Sequence, residues 1–340
     1  NKTALITGIM GQDGAYLADF LIKKKYNVIG IIKKKRKNNQ DRLKKLKIKN
    51  KVKILIADIT NFNSLKKLII KIKPQEIYNL AAVSSVGSSF EKPINTFNTN
   101  CTGLLNILEV AKEFSNKIKI YQASSSEMYG NSNIYKINEL AKFAPTSPYG
   151  ISKVAAHYLV KFYRDAYNVK CASGILFNHE STLRGNDFVT KKIVSQLYEI
   201  KKKERMIMYL GNIYSKRDWG FAPEYVEAMW KILQLRKLDD FVIGTGKSYT
   251  IKYFVNLVCK YYKIPSEWRG KGINEVCVNK KTKKIIIKID KNLYRPIDVN
   301  PIVGVSNKAL KTLKWKPRTF INDLVSKMCR HEINEKDFNS

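Results

Sequence analysis

The sequence has few of the residues that build metal centres and disulfide frameworks. Its 340 residues include three histidines and five cysteines. The cysteines are scattered, with no C-x-x-C spacing: Cys101, Cys171, Cys259, Cys277 and Cys329. Isolated cysteines of this kind are typical of reduced thiols in a cytosolic protein. We therefore expect no metal site, no disulfide framework and a cytoplasmic location.

Long apolar runs and acidic residues are also scarce. No run of about 18 apolar residues occurs, which argues against a transmembrane helix, and no signal peptide is visible. The chain has 28 acidic and 63 basic residues, for a formal net charge of +35. Such a charge can indicate a nucleic-acid or membrane surface. Here lysines recur throughout, interleaved with aliphatic more than with aromatic residues, so we expect neither nucleic acid nor membrane as a partner. A small ligand that carries phosphate would suit the charge.

The order of apolar segments predicts a doubly wound α/β fold. Short apolar runs such as TALITG, NVIGII and EIYNLAA alternate with amphipathic segments such as GAYLADFLIKKKY. Continuous apolar strands separated by helices are typical of a parallel sheet covered on both faces. We predict a Rossmann-type domain over residues 1–177, with a returning segment near 216–246. Residues 178–215 and 247–340 would form a second, smaller substrate-binding lobe.

The first predicted turn is rich in glycine. In TGIMGQDG, Gly8, Gly11 and Gly14 lie between the first strand and the first helix. Glycines there let the backbone approach a pyrophosphate at the helix N-terminus. After the second strand, where an acid would bind the ribose of NAD, the sequence has the basic run Lys33–Arg36. Cations at this position suit the 2′-phosphate of NADP.

Two further patterns predict proton chemistry. YQASSSEMYG places three serines and Glu127 at the end of an apolar strand, where they could hold a ligand or simply cap a helix. Tyr149 and Lys153 lie at i, i+4 on one helix face. An ammonium beside a phenol favours the phenolate, so we expect the pKa of Tyr149 to be lowered from about 10. Tyr198 and Lys202 share the spacing, but only the first pair begins the helix after the serine-rich strand.

Together these features resemble the extended short-chain dehydrogenase/reductases. Further segments narrow the resemblance to the GDP-mannose 4,6-dehydratase family: ALITGIMGQDG, EIYNLAA, YQASSSEMYG, SPYGISK, GILFNHES, FVTKKI, KRDWGFAPEYVEAMW, DFVIGTG and YRPIDV. The resemblance runs from Thr3 to about Met328, and FNHES and KRDWG are more specific to this family than to the superfamily.

The resemblance implies an NADP-dependent lyase that converts GDP-mannose to GDP-4-keto-6-deoxymannose. C4 would be oxidised transiently, water lost across C5 and C6, and the hydride returned to C6. Tyr149 with Lys153 would deprotonate the 4-hydroxyl, Ser125 would replace the family's usual threonine, and Glu127 would remove the C5 proton. The alternatives are another nucleotide-sugar epimerase or dehydratase, and a catalytically silent nucleotide-sugar-binding protein.

The resemblance also implies binding residues and a homo-oligomer, either a dimer or a tetramer. The implied cofactor contacts are Gly8, Gly11, Gln12, Asp13, Gly14, Lys33, Lys34, Asp58, Ile59, Leu80, Ala81, Ala82, Ser84, Tyr149, Lys153, His179 and Arg184. The implied substrate contacts are Ser84, Asn178, Lys192, Arg217 and Arg295.

Several positions depart from the family pattern. Val83 and Ser85 replace a glutamine and a histidine, Thr182 and Leu183 a proline and an arginine, Phe221 a histidine, and Asn95 an aromatic residue. Lys33 and Lys34 replace an arginine pair that reaches across the family's tetramer interface. Because lysine cannot reproduce a bidentate arginine contact, we expect any difference in cofactor affinity or assembly to arise there.

Overall fold

The computed structural model describes residues 1–34, 41–114, 117–203, 205–295 and 297–338. Lys35 and Arg36 of the basic run lie outside the described residues. The strands are β1 (Thr3–Thr7), β2 (Asn27–Ile32), β3 (Lys53–Ile56), β4 (Glu76–Asn79), β5 (Lys119–Ser125), β6 (Lys136–Ile137), β7 (Cys171–Leu176), β8 (His179–Glu180), β9 (Met208–Leu210), β10 (Lys216–Arg217), β11 (Gly220–Phe221), β12 (Phe241–Ile243), β13 (Tyr249–Thr250), β14 (Ser266–Arg269), β15 (Val276–Asn279), β16 (Ile285–Ile289) and β17 (Val303–Gly304).

The α-helices alternate with these strands. They are α1 (Gln12–Lys23), α2 (Asp41–Lys45), α3 (Phe62–Ile72), α4 (Val86–Glu91), α5 (Pro93–Phe97), α6 (Gly103–Glu113), α7 (Pro148–Tyr167), α8 (Val189–Lys202), α9 (Ala222–Gln234), α10 (Ile251–Tyr261), α11 (Asn307–Leu313) and α12 (Ile321–Phe338). A π-helical turn, Asn98–Thr102, joins α5 to α6.

Seven strands form one parallel sheet in the order β12-β7-β5-β4-β1-β2-β3. The order reverses at β1, which has β2 on one side and β4 on the other. In open α/β sheets of this kind, ligands bind beyond the carboxyl ends of the strands near the reversal. The predicted doubly wound α/β fold is confirmed.

Both faces of this sheet are buried because successive strand residues point to opposite sides. In β1, Ile6 packs in the core beneath α1 and α9, whereas its neighbour Leu5 packs in the core beneath α3, α6 and α7. In β5, likewise, Tyr121 packs in the core with Ile6, and Ile120 packs in the core with Leu5. This two-sided burial explains why the strands read as continuous apolar runs.

The second lobe is built on a four-stranded mixed sheet, β14-β15-β16-β9, whose core is shared with α8, α10 and α12. From the predicted returning segment, α9 packs against β5 and β7, and β12 pairs with β7 in the main sheet. The predicted domain limits themselves remain a prediction. Across the described residues, no helix has both the length and the apolarity needed to cross a bilayer.

All five cysteines are buried free thiols. Within the described part of the chain, no group of three or more histidine, cysteine or carboxylate side chains is placed to hold a metal.

Lysine occupies an unusual set of backbone positions. Among the described residues, seven lysines have φ between 50° and 66°, in the left-handed region that favours glycine: Lys25, Lys47, Lys73, Lys203, Lys263, Lys283 and Lys314. Six follow the ends of helices, and Lys283 lies between β15 and β16.

Candidate active site

A cavity of about 570 Å³ lies at the carboxyl ends of β4, β5 and β7, where the main sheet meets the second lobe. The main sheet and α7 contribute Ser125, Glu127, Tyr149 and Lys153 to its wall. Its lining also includes Asn178, Arg184, Arg217, Arg295 and Asp298. The fold therefore brings the predicted proton-transfer residues and three arginines to one cavity.

The glycine turn beside this cavity is closely packed. Gly8 has φ +69°, and a Cβ added there would lie 2.8 Å from the Ala81 nitrogen. A Cβ on Gly14 would lie 2.5 Å from the Gly8 carbonyl oxygen. At Gly11, which caps α1, an added Cβ would meet only that same oxygen among the described atoms, at 3.2 Å. Gly11 is exposed, and the helix N-terminus that it caps is the kind of site that suits a pyrophosphate.

Hydrogen bonds with Thr7 hold the loop after β4 next to the glycine turn. Thr7 Oγ1 donates to Asn79 Oδ1 at 2.7 Å and accepts from the Leu80 and Ala81 N–H groups at 3.1 and 3.0 Å. Leu80, Ala82 and Ser84 of this loop line the cavity. The role of Thr7 was missed from the sequence, although its position just before the first glycine was a usable signal.

Gln12 and Asp13 hold β8 against the start of α1. His179 Nε2 lies 2.8 Å from Asp13 Oδ2, its Nδ1 lies 2.8 Å from the Phe177 carbonyl, and Gln12 Oε1 accepts from Ser181 at 2.7 Å. Burial acts to raise the pKa of Asp13, but His179 outweighs it and the pKa is lowered. Burial acts to lower the pKa of His179, and Asp13 raises it overall. The pair therefore favours its charged form.

Arg184 reaches the cavity from the loop that follows β8. Its Nε lies 2.9 Å from Glu180 Oε2, and its guanidinium carbon lies 3.5 Å from the centre of the Phe188 ring. The Nε–H group is not aimed at the carboxylate, so this contact is an ion pair without a hydrogen bond. Thr190 Oγ1 donates to the same Glu180 oxygen at 2.6 Å.

The basic pair Lys33 and Lys34 lies just beyond β2. Lys33 Nζ is 2.8 Å from Asp58 Oδ2, and Asp58 also accepts from the Thr60 N–H and Oγ1. Burial acts to raise the pKa of Asp58, but Lys33 and Thr60 outweigh it and the pKa is lowered. Ile59 is buried beneath α6, where it fills the space beside Gly103. The structure thus places Lys33 in an ion pair at the edge of the sheet.

The serine-rich strand end has two roles. Ser125, the last residue of β5, accepts from the Glu127 N–H at 3.2 Å and so caps the 3₁₀ turn Ser126–Tyr129. It also lines the cavity and is close enough to Tyr149 to act on the pKa of the phenol. The capping interpretation is therefore correct, and the same hydroxyl lies beside the phenol.

The predicted lowering of the Tyr149 pKa is wrong in this structure. Burial raises the pKa to about 12, against the smaller lowering effect of the Ser125 hydrogen bond. Burial also lowers the pKa of Lys153 to about 8. The Lys153 Nζ lies 5.7 Å from the centre of the Tyr149 ring and donates to the Ala123 carbonyl at 2.8 Å. The Lys153 ammonium is directed at the backbone carbonyl and not at the phenol oxygen. Desolvation disfavours both the ammonium form of Lys153 and the phenolate form of Tyr149.

Glu127 is paired with Arg295, which the sequence had assigned to the substrate. Arg295 Nη1 lies 3.2 Å from Glu127 Oε1. Glu127 Oε2 is buried and has no hydrogen-bond partner among the described residues. The predicted acid/base and a predicted substrate-binding cation are therefore in direct contact.

Asp298 organises the neighbouring cation. Its Oδ1 lies 2.8 Å from Arg217 Nη2, and its Oδ2 accepts from Ser215 and, at 3.3 Å, from Asn212. Burial acts to raise the pKa of Asp298, but Arg217 and Ser215 outweigh it and the pKa is lowered. Asp298 was missed as a site residue, although it lies within the quoted segment YRPIDV.

Of the remaining predicted substrate residues, Ser84 lines the cavity, as described above, while Asn178 and Lys192 differ in position. Asn178 lines the cavity, and its carbonyl accepts from the Gly220 N–H at 2.8 Å. Lys192 lies on α8 with its Nζ 2.8 Å from the Tyr209 carbonyl, and burial lowers its pKa. Its ammonium is thus directed at β9.

A family model described as GDP-mannose 4,6 dehydratase matches residues 5–328. The chain belongs to the GDP-mannose 4,6 dehydratase family. It is 42% identical to "GDP-mannose 4,6 dehydratase" of Dictyostelium discoideum, covering 98% of this chain and 96% of that protein. It is 40% identical to "GDP-mannose 4,6 dehydratase" of Homo sapiens, covering 98% and 91%.

Solved structures share the fold at lower identity. The dTDP-glucose 4,6-dehydratase of Bacillus anthracis, in complex with NAD, superposes with a TM-score of 0.82 at 20% identity, over 99% of this chain and 98% of that one. This likeness extends through both lobes and concerns the fold alone.

Asn100, in the π-helical turn, links two parts of the site. Its Oδ1 accepts from the Val83 N–H at 2.9 Å, and its Nδ2 donates to Ser152 Oγ at 3.0 Å. Ser152 in turn donates to the Tyr149 carbonyl at 2.7 Å. The loop thus engages α7 through the backbone of Val83, so this link does not depend on the family's usual side chain there.

Two other departures from the family pattern have a local explanation. Ser85 caps α4 by accepting from the Ser88 N–H at 3.2 Å. Leu183 is buried, and its carbonyl accepts from Arg42 Nε at 2.8 Å, while Arg42 Nη1 donates to the Met10 carbonyl at 2.9 Å. Arg42 therefore places a guanidinium beside the glycine turn, next to the position where the family has an arginine.

Proposed function

We propose that the protein converts GDP-mannose to GDP-4-keto-6-deoxymannose by loss of water. The observation that carries the proposal is the position of Glu127, a buried carboxylate in the same cavity as Tyr149 and Ser125. Oxidation at C4 requires only the tyrosine as base, whereas elimination across C5 and C6 also needs a second acid/base group. Family membership over residues 5–328 supports the same activity.

Tyr149 is the proposed base for the 4-hydroxyl. Ser125 lines the same cavity beside it and would hold the sugar oxygen. Lys153, with a pKa of about 8, is mostly an ammonium at neutral pH and would favour the developing phenolate. A bound nicotinamide dinucleotide would accept the hydride and later return it.

Glu127 is the proposed group that removes the C5 proton. The C4 ketone acidifies that proton, and the carboxylate then passes it to the departing 6-hydroxyl as water forms. Its Oε2 lacks a hydrogen-bond partner among the described side chains, so no hydrogen bond has to break before this oxygen accepts the proton.

The proposed cofactor is NADP. The glycine turn and the start of α1 would hold the pyrophosphate, and Lys33 and Lys34 would meet the 2′-phosphate. Lys33 already binds a carboxylate oxygen of Asp58 at 2.8 Å, so its ammonium can be held at this edge of the sheet. Asp58, Ile59, His179 and Arg184 would complete the contacts.

The GDP moiety is proposed to bind beside the cavity residues Asn178, Arg217 and Arg295. Arg217 and Arg295 would bind the diphosphate, where a guanidinium can bind two oxygens at once. Ser84 and Asn178 line the same cavity, and Lys192 would lie farther out on α8.

We further propose a cytoplasmic homo-oligomer. Large apolar side chains are exposed on two helices that pack together, α5 and α7: Ile94, Phe97, Ile151, Tyr158 and Phe162. A contiguous apolar face of this kind is typical of protein–protein contacts. The free thiols are compatible with a reducing compartment.

Mass spectrometry of the products tests the proposed activity. GDP-mannose should lose one water when incubated with the protein and NADP, while UDP-glucose and dTDP-glucose in parallel reactions should stay unchanged. Conversion to an isomer of unchanged mass would indicate an epimerase. Unchanged GDP-mannose, bound but not converted, would indicate a silent binding protein.

A further inference from the structure

We propose that the substrate diphosphate and Glu127 compete for Arg295, so that diphosphate binding releases the catalytic carboxylate. The inference rests on the proposed function and extends it. It makes the Glu127–Arg295 ion pair a device that couples recognition of the nucleotide end of the substrate to chemistry at the sugar end.

The geometry of the ion pair allows a diphosphate to replace the Glu127 carboxylate at Arg295. A guanidinium and a carboxylate can form two parallel hydrogen bonds, but here a single contact joins Arg295 Nη1 to Glu127 Oε1 at 3.2 Å. The second carboxylate oxygen has no partner among the described residues. The Arg295 side chain is 34% exposed, against 10% for Glu127, so the cation is the more accessible partner.

Asp298 lies in the same cavity and is held by Arg217, Ser215 and Asn212. Its contacts do not involve Arg295, so the Arg295 side chain can turn from Glu127 into the cavity, which both residues line, without breaking them.

Arg217 and Arg295 lie in one cavity, where both could bind the diphosphate of a single substrate molecule. Arg217 is held by Asp298 and Arg295 by Glu127, and all four residues line the same cavity. A diphosphate has more oxygens and more charge than one carboxylate, so it competes effectively for a guanidinium. When it takes Arg295, Glu127 loses the cation that opposes its action as a base.

This exchange has a consequence for specificity. A sugar without the diphosphate would leave Glu127 paired and less able to remove the C5 proton. Binding energy from a remote part of the substrate would thus act at the reacting centre.

Equilibrium binding of GDP tests the exchange without requiring turnover. Affinities are measured by calorimetry for the wild-type chain, Glu127→Gln, Arg295→Met and the double variant. Because Glu127→Gln removes the competitor, it should tighten GDP binding by about five- to tenfold. This is just below the range for a charge-assisted contact, because the pair is monodentate and partly exposed. Arg295→Met should weaken binding, and Glu127→Gln should add nothing in that background.

Two controls separate exchange from general electrostatics. Asp187→Asn removes a negative charge from the same cavity wall without altering the Arg295 contact, and it should change the GDP affinity by less than about twofold. Guanosine lacks the diphosphate and should bind wild type and Glu127→Gln equally.

The outcomes are distinct. If the wild type binds GDP and Glu127→Gln binds it equally well or more weakly, the proposed exchange is wrong, but the proposed substrate is not affected. Tightening that persists in the Arg295→Met background would also overturn it, because the effect would not pass through Arg295. Absence of GDP binding in the wild type would overturn the exchange together with the proposed substrate.

Discussion

Replacing Lys153 with methionine should stabilise the fold while removing the ammonium that assists Tyr149. Lys153 is 3% exposed, and burial lowers its pKa from 10.5 to about 8. A lowering of this size corresponds to about 3 kcal/mol, at about 1.36 kcal/mol for each pKa unit, which is the cost of keeping the buried amine protonated. Methionine is unbranched, of similar length and uncharged, so it avoids that cost.

Some of this gain is offset by a lost hydrogen bond. Lys153 donates to the Ala123 carbonyl, but that carbonyl also accepts from Gln122 Nε2 at 3.0 Å and keeps a partner in the variant. A net hydrogen bond contributes about 1 kcal/mol. We therefore expect Lys153→Met to raise the free energy of unfolding by about 2 kcal/mol at pH 7.

The difference in the free energy of unfolding between Lys153→Met and the wild type should depend on pH. Below pH 8 the buried amine of the wild type is protonated, and the full cost is present. Between pH 8 and 10.5 the folded wild type binds fewer protons than the unfolded chain, so its stability rises with pH. The advantage of the variant should therefore be complete at pH 7 and largely gone at pH 10.5.

Urea unfolding followed by far-UV circular dichroism at pH 7 and pH 10 measures both effects. Lys161→Met is the matched control, because Lys161 is exposed on the same helix; it should change stability by less than about 0.5 kcal/mol at either pH. A Lys153→Met protein less stable than wild type at pH 7 would show that the buried ammonium stabilises the fold, and would refute the reasoning.

Three further predictions concern the reaction. Glu127→Gln should lower turnover of GDP-mannose by about 10²- to 10⁴-fold with GDP binding retained, because the amide cannot accept the C5 proton; a variant that keeps more than about half its turnover would remove Glu127 from the mechanism. Tyr149→Phe should give no NADPH absorbance with GDP-mannose at any pH, while its far-UV spectrum stays unchanged; hydride transfer in this variant would identify another base. The wild type should bind NADP more tightly than NAD, and Lys33→Asp should erase or reverse a preference of about tenfold or more, as expected for one charge-assisted contact to the 2′-phosphate. Equal affinity of the wild type for both cofactors would contradict this assignment.

The main sheet could be predicted from the sequence because its signals are local. The apolar runs give buried parallel strands, and the glycine spacing gives the first turn, whose Gly8 and Gly14 leave no room for a side chain. The positions of Ser125 and Tyr149 followed from strand ends and helix starts, since the sheet topology brings such ends to one edge.

The rest depended on contacts that sequence spacing does not encode. Arg295 meets Glu127 across 168 positions of the chain, and only the packing of the second lobe decides that contact. The i, i+4 spacing correctly places Tyr149 and Lys153 on one helix, but the pKa of each depends on burial, which outweighs their proximity. Asp298 was overlooked because its role is to hold another side chain.

The left-handed lysines bear on how this lysine-rich composition is accommodated. A residue with a Cβ in that conformation costs about 1 kcal/mol relative to glycine, and a cation at a helix C-terminus recovers about 0.3–1 kcal/mol of it. Six of the seven lie after helices, where a positive charge interacts favourably with the helix dipole. Part of the +35 charge thus neutralises helix ends at scattered points of the surface. Replacing all seven with glycine would lower the charge from +35 to +28 without removing any residue assigned to the cavity. The basicity of the chain and the chemistry of its active site can therefore change independently.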